Sequence, residues 1–256
     1  MSSTGGTIDP GEIGRFAAQA ENWWDPEGSF RALHCVNPVR LGFIRQYLTA
    51  HFGRDPSSLR PFDGLSLLDI GCGGGLVSEP MARLGFAVTG IDPGAEAVDA
   101  ARAHVEAVGL RIDYRVAAAE AIAESGAQFD TVLALEVVEH VADPVAFFSA
   151  VGSLVRPGGS FIGATLNRTP RSFALAIIGA EYIFQWLTPG THDWNKFLRP
   201  SEFILGLRRS GLVATQVAGL VYDLRRGEWS LSSDIRVNYM VGTARRQSAL
   251  RTLANS

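Results

Sequence analysis

The sequence predicts an α/β fold in a single domain over residues 1–256, a seven-stranded, mostly parallel, Rossmann-like sheet with helices on both faces. Three observations carry this. Short runs rich in β-branched and aromatic residues alternate with segments of helical period, the signature of βαβ units. The runs are apolar along nearly their whole length, which suits strands covered on both faces. The first of them ends in a glycine-rich loop, LLDIGCGGG, that leads directly into a helical segment.

In chain order, residues 9–52 read as a helical cap, with Ile13, Phe16 and Ala17, then Leu41, Ile44 and Leu48, at helical spacing. The turn signal WWDPEG divides it. GRDPSSLRPFDG is a connector. Residues 66–167 form the core, with strands at SLLDI, AVTGI, RIDYRV, FDTVLAL and SFIGATL. The helices between them are LVSEPMARLG, AEAVDAARAHVEAVG and PVAFFSAVGSLV, and RPGG is a turn before the fifth strand. Asp143-Pro144 reads as an N-cap and first helical position. Residues 168–195 are an apolar insertion after the fifth strand. Residues 200–243 supply a helix and two last strands, near 212–217 and 234–243, that can form a hairpin-like edge.

Composition narrows the class. The chain is 46% apolar and 19% charged, with a mean hydropathy of +0.11, enough to build a sizeable core. A net charge of −3 shows no global pull toward nucleic acid. Two cysteines, Cys35 and Cys72, suit a reducing compartment better than a disulfide framework. MSSTGGTIDP lacks the basic and apolar regions of a signal peptide, and no stretch reaches the ~20 apolar residues of a membrane span.

The glycine loop is the sharpest signal. Gly71, Gly73 and Gly75 permit a tight turn and close backbone approach to a ligand. A dinucleotide fingerprint would place its third glycine at position 76, where Leu76 stands. Asp69 precedes the loop. A carboxylate there repels a pyrophosphate but favours a ligand bearing an ammonium and a sulfonium, such as S-adenosylmethionine. Asp92 ends the next strand about 20 residues on, where a carboxylate can accept both ribose hydroxyls. This D-x-G-x-G-x-G pattern followed by an acid is that of class I S-adenosylmethionine-dependent methyltransferases. Cys72, inside the loop, is read as a small space-filling side chain, with a nucleophile as the rival.

Glu136, Glu139 and His140 follow the fourth strand, at the carboxyl edge where open α/β sheets bind ligands. Three roles are open. The trio can hold a divalent cation, Mg²⁺ by chemistry. His140 can act alone as a general base. Or the turn is structural, with His140 capping the next helix.

More specific strings lie outside these motifs. NWWDPEG, FRALHCVNPVRLGFI, TLNRT, GAEYIF, GTHDWNKF and VNYM occur in that order, within a resemblance that covers the chain from about Asp9 to Thr243. Together they resemble the ubiquinone biosynthesis O-methyltransferase family. The resemblance implies methylation of phenolic and catechol hydroxyls on polyprenylated ubiquinone precursors, in both O-methylation steps. It implies that Arg40 meets the cofactor's carboxylate, that Gly71 and Asp92 contact the cofactor, and that Leu135 lines the adenine pocket. It also matches Glu136, Glu139 and His140 to a magnesium site of some members. The connector RDPSSLRPFDG is longer than in the shortest members, which implies a changed surface loop only.

The resemblance gives SFALAIIGAEYIFQWL (residues 172–187) a purpose. A polyprenyl substrate stays in the bilayer, so the enzyme must meet it there. The stretch is too short to span but long enough to lie in the interface. Tyr182, Phe184 and Trp186 suit that region, and Arg168 and Arg171 suit anionic headgroups. Residues 168–189 are thus expected to anchor a cytoplasmic enzyme to the inner membrane face and to close over substrate, beside other enzymes of the pathway. A buried core helix or a dimer contact is the plain alternative. The rival functions are methylation of another phenolic metabolite, a non-catalytic S-adenosylmethionine-binding scaffold, and a nicotinamide-dependent oxidoreductase, which Leu76 and Asp69 disfavour.

Overall fold

The computed structural model describes residues 23–173 and 194–247. Its centre is one sheet of eight strands in the order β3-β2-β1-β4-β5-β8-β6-β7. The strands are β1 (Ser66–Ile70), β2 (Ala87–Asp92), β3 (Asp113–Val116), β4 (Phe129–Leu135), β5 (Val155–Leu166), β6 (Leu212–Asp223), β7 (Glu228–Ser232) and β8 (Asn238–Arg245). β1 to β5 run parallel, and β8 pairs antiparallel with both β5 and β6. The helices are α1 (Arg31–His51), α2 (Ser78–Arg83), α3 (Ala95–Ala107), α4 (Ala119–Glu124), α5 (Pro144–Leu154) and α6 (Pro200–Arg209).

Alternation along the strands divides the core into two layers. Leu68, Val132 and Ala134 point to the face covered by Phe147, Phe148 and Val151 of α5 and by Phe203 and Leu207 of α6. Leu67, Leu133 and Ile162 point to the opposite face, covered by Phe43, Ile44 and Leu48 of α1 and Met81 of α2. Period-two side chains buried on both sides are why these strands read as continuous apolar runs. α5 starts where the sequence predicts: Asp143 accepts from the N–H groups of Val145 (2.9 Å) and Ala146 (3.1 Å), with Pro144 at the first helical position.

Four expectations change. The sheet has eight strands, not seven. The extra one, β7, reads EWSLS, and most of it is exposed, so it lacks the apolar signature of the others. The last strand does not form the edge: β8 is inserted between β5 and β6, with Tyr239, Met240 and Val241 fully buried, and the edge hairpin is β6–β7. RPGG is not a turn ahead of the fifth strand but an irregularity within it. Phe129 pairs with Val155 and Thr131 with Ser160, so residues 156–159 bulge out opposite Asp130. Arg156 there donates to Asp130 at 2.8 Å. Finally, α4 is a short helix that the period of the sequence does not announce.

The first run of the predicted cap, up to Glu21 and Asn22, and most of the apolar insertion lie outside the described residues. The edges of that insertion are described. Thr169 caps a single turn at Pro170–Ser172, accepting from the Ser172 N–H at 3.0 Å. The Trp194 indole N–H donates to the Thr169 carbonyl at 3.1 Å, so the two flanks meet. No described helix is long and apolar enough to cross a membrane.

Leu133 sits at the centre of the sheet with no exposed surface. Leu133→Ala should cost about 2–5 kcal/mol in chemical denaturation, whereas Val145→Ala, at 72% exposure, should stay within about 0.5 kcal/mol of the native protein.

Candidate active site

The site lies at the carboxyl ends of β1, β2 and β4. β1 and β2 end level, Ile70 beside Ile91. The Ile91 carbonyl accepts from the N–H groups of Gly71 (2.8 Å) and Cys72 (3.0 Å), which turns the loop sharply out of the sheet. Gly71 and Gly73 hold φ of 69° and 51°, the left-handed region that favours glycine. A Cβ on Gly71 would lie 2.6 Å from Val137, and one on Gly73 only 2.4 Å from the Trp23 ring. Gly75, with φ 91°, completes the turn.

Two acids flank the loop in different ways. Asp92 accepts from the Gly73 N–H at 3.0 Å and the Gly94 N–H at 2.8 Å, which orients its carboxylate at the mouth. Burial raises its pKa, and those two donors act against the rise. Asp69 is 3% exposed beneath the loop and accepts from the Ser78 hydroxyl at 2.6 Å. Burial pushes it up to about 7, against the Ser78 bond. It lies under the loop, so any effect on a ligand above is carried by charge across the backbone. Cys72 is buried, and desolvation pushes its thiol well above the usual value, which fits packing and not nucleophilic attack.

Trp23 and Trp24 cover the loop. The Trp23 indole lies along Gly73 and Gly74 and stacks on Phe30 at 3.6 Å. Trp24 donates its indole N–H to the Gly74 carbonyl at 3.0 Å and stacks on His104 at 3.5 Å. His104 in turn bonds the buried Glu79 at 2.6 Å.

The other wall is a charge cluster. Arg40, on the buried side of α1, is 3% exposed and pairs with the Glu136 carboxylate. Burial lowers its pKa to about 10, and the charge of Glu139 opposes that. Glu139 is 2% exposed and accepts from the Thr165 hydroxyl at 2.8 Å. Glu136 stands at φ 56°, the only non-glycine residue in that region among the described residues. Its N–H donates to the Ala164 carbonyl at 2.8 Å. Leu135, the last residue of β4, adds a partly buried apolar side chain beside it. His140 closes a short 3₁₀ turn, Val138–His140, and is partly exposed. It does not cap α5; Asp143 does.

The structure therefore brings the glycine loop, Asp92, Leu135, Glu136 and Arg40 to one edge of the sheet. It does not assemble Glu136, Glu139 and His140 into ligands for a metal. Glu136 turns to Arg40 and Glu139 to Thr165, and among the described residues no group of three or more His, Cys, Asp and Glu is placed to hold an ion. By contrast, the loop makes a tight glycine turn and Asp92 holds a carboxylate fixed beside it, the two features of a nucleoside-binding edge in an open α/β sheet.

Comparison with known proteins agrees. A family described as "Methyltransferase domain" matches residues 68–163. The ubiquinone biosynthesis O-methyltransferase of Paramagnetospirillum magneticum is 54% identical over 92% of this chain and 94% of its own. That of Dinoroseobacter shibae is 50% identical over 96% and 99%. The chain belongs to the ubiquinone biosynthesis O-methyltransferase family. It is an S-adenosylmethionine-dependent methyltransferase. Among solved structures, magnesium protoporphyrin IX methyltransferase from Synechocystis PCC 6803, with bound S-adenosylmethionine, superposes at TM-score 0.62, covering 94% of this chain and 100% of that one at 17% identity. That likeness shows the fold.

Several residues of this enzyme's site carried no legible signal. Ser78, Glu79, His104 and Thr165 are ordinary surface types in sequence, yet three of them are buried against the loop or the charge cluster. The paired tryptophans were legible only as part of a turn within the cap, not by their seat on Gly73 and Gly74.

Asp69 binds its proton more tightly folded than unfolded, so between about pH 4 and 7 the folded state holds more protons and stability falls as pH rises. Asp69→Asn should match the native melting temperature near pH 4 and exceed it above pH 7. A difference that stays constant with pH in thermal melts would contradict this.

Proposed function

We propose that the enzyme methylates phenolic and catechol hydroxyls of polyprenylated ubiquinone precursors, in both O-methylation steps. The observation that carries this is end-to-end identity of 50–54% to relatives named for that pathway. When bound, S-adenosylmethionine supplies a methyl group activated by its positive sulfur. The chain's residues do the rest, and alignment is most of it. Gly71, Gly73 and Gly75 let the cofactor lie against the backbone. Asp92 accepts its ribose hydroxyls, Leu135 lines its adenine pocket and Asp69 favours its positive end from below. Arg40 receives its carboxylate. Trp23 and Trp24 exclude water.

A phenol is mostly protonated at neutral pH, so the attacking oxygen needs a base. His140 is the candidate: it ends the 3₁₀ turn just after β4, at the carboxyl edge of the sheet, and is partly exposed. It takes the phenolic proton on a ring nitrogen. Glu136 and Glu139 act on catalysis through their charges on Arg40.

The substrate's tail places the enzyme at a membrane surface on the cytoplasmic side. The apolar stretch of residues 172–187 is the reason to expect it. Its flank carries Arg168, paired with Glu202, and Arg171 and Arg236, which share Asp234 at 3.4 and 2.7 Å. Three arginines against two acids leave an excess of positive charge for anionic headgroups. Other enzymes of the pathway are expected partners at that surface.

Methyl transfer from labelled S-adenosylmethionine to short-tailed analogues of both phenols tests the substrate. No transfer with cofactor binding intact would refute it. His140→Gln should lower kcat about 10²- to 10⁴-fold, with native activity surviving EDTA. Loss in EDTA and recovery with Mg²⁺ would replace His140 by a metal. Arg171→Glu should weaken binding to anionic vesicles about tenfold in sedimentation assays; equal binding would remove this flank from the anchor.

A further inference from the structure

We propose that Glu136 competes with the cofactor's carboxylate for Arg40, and so sets how tightly the cofactor and its demethylated product are held. The inference rests on the reading that Arg40 receives that carboxylate. Among the described residues, Arg40 is the only buried arginine or lysine. It lies beside the first residue after β4, at the edge where the amino-acid end of the cofactor must lie. An incoming carboxylate therefore meets a guanidinium that already carries a partner.

Two features separate Glu136 from a structural ion pair. First, Arg40 has one charge, and Glu139 already stands near it, buried and anchored by Thr165. A second acid is not needed to neutralise it. Glu136 is the partner with access to solvent: its side chain is 22% exposed against 4% for Arg40. Second, Glu136 is the sole non-glycine residue among those described with a left-handed backbone, at φ 56°. A strained conformation at a strand end persists where the site uses it. It is held by the hydrogen bond from the Glu136 N–H to Ala164. The strained acid with access to solvent is thus the one that can yield its place.

The consequence is kinetic as well as thermodynamic. S-adenosylhomocysteine carries the same carboxylate as S-adenosylmethionine, so a competitor on Arg40 weakens both and speeds departure of the product. Apparent affinity is reduced by the fraction of Arg40 that is free to accept the ligand, and removing the competitor lifts that reduction.

The test is calorimetric titration of the full chain with S-adenosylhomocysteine and with 5′-methylthioadenosine, which lacks the amino-acid portion. Glu136→Gln should tighten S-adenosylhomocysteine about three- to tenfold and leave 5′-methylthioadenosine unchanged. Unchanged or weaker S-adenosylhomocysteine binding in that variant would overturn the proposal; weaker binding would make Glu136 a direct ligand of the cofactor's ammonium. Tightening of both probes alike would also overturn it, by assigning the effect to relief of backbone strain. Arg40→Lys, which keeps the charge but loses the fork, reports on the underlying reading. If it leaves S-adenosylhomocysteine affinity at the native value, Arg40 does not hold the carboxylate, and that reading fails first. Thermal melts of both variants verify that they fold.

Discussion

The carbonyl of Ile91 sets the geometry of the whole mouth. By accepting from Gly71 and Cys72 together, it bends the chain out of β1 at a fixed point. Because β1 and β2 end in register, the next residue, Asp92, is brought level with the loop and accepts from Gly73. One acceptor thus aligns the cradle with the acid beside it. The tryptophan cap then has a flat glycine surface on which to lie, and a side chain at Gly73 or Gly74 would remove it. Backbone groups do this positioning, so side-chain identity along the loop is dictated mainly by what must be absent.

The wall opposite is held by charge in a dry place. Arg40, Glu136 and Glu139 are an arrangement that is costly to leave half-made, since an unpaired buried ion costs several kcal/mol. Thr165 from β5 and Arg40 from α1 are needed to complete it. The cap, the turn after β4 and the fifth strand are therefore bound into one polar unit. A methyl transfer that depends on alignment gains from the fixed part of that unit, Glu139 anchored by Thr165, because it limits the freedom of Arg40.

Much of this was legible in the sequence, for identifiable reasons. Strands buried on both faces announce themselves as apolar runs, so β1, β2, β4 and β5 were found. Glycines forced by backbone conformation, such as Gly71 and Gly73, were found by type alone. β7 was missed because an exposed edge strand has no apolar pattern, and RPGG was misplaced because a bulge and a turn use the same residues. The adjacency of Glu136, Glu139 and His140 in sequence suggested one cluster. A left-handed residue followed by a 3₁₀ turn sends the side chains of Glu136 and Glu139 to different partners, and nothing in residue order reports that. Arg40 was placed by resemblance; its partner Glu136 lies 96 residues away, a long-range pairing that only the fold creates.

The Trp194–Thr169 hydrogen bond has an evolutionary consequence. Since departure and return of the chain after β5 are fastened to each other, the segment between them is a cassette. Closing a longer or shorter connection between joined ends changes the entropy only slowly with length. A change of length in the cassette therefore leaves the sheet, the glycine cradle and the charge cluster in register. The joined ends, not the residues between them, are what the platform requires.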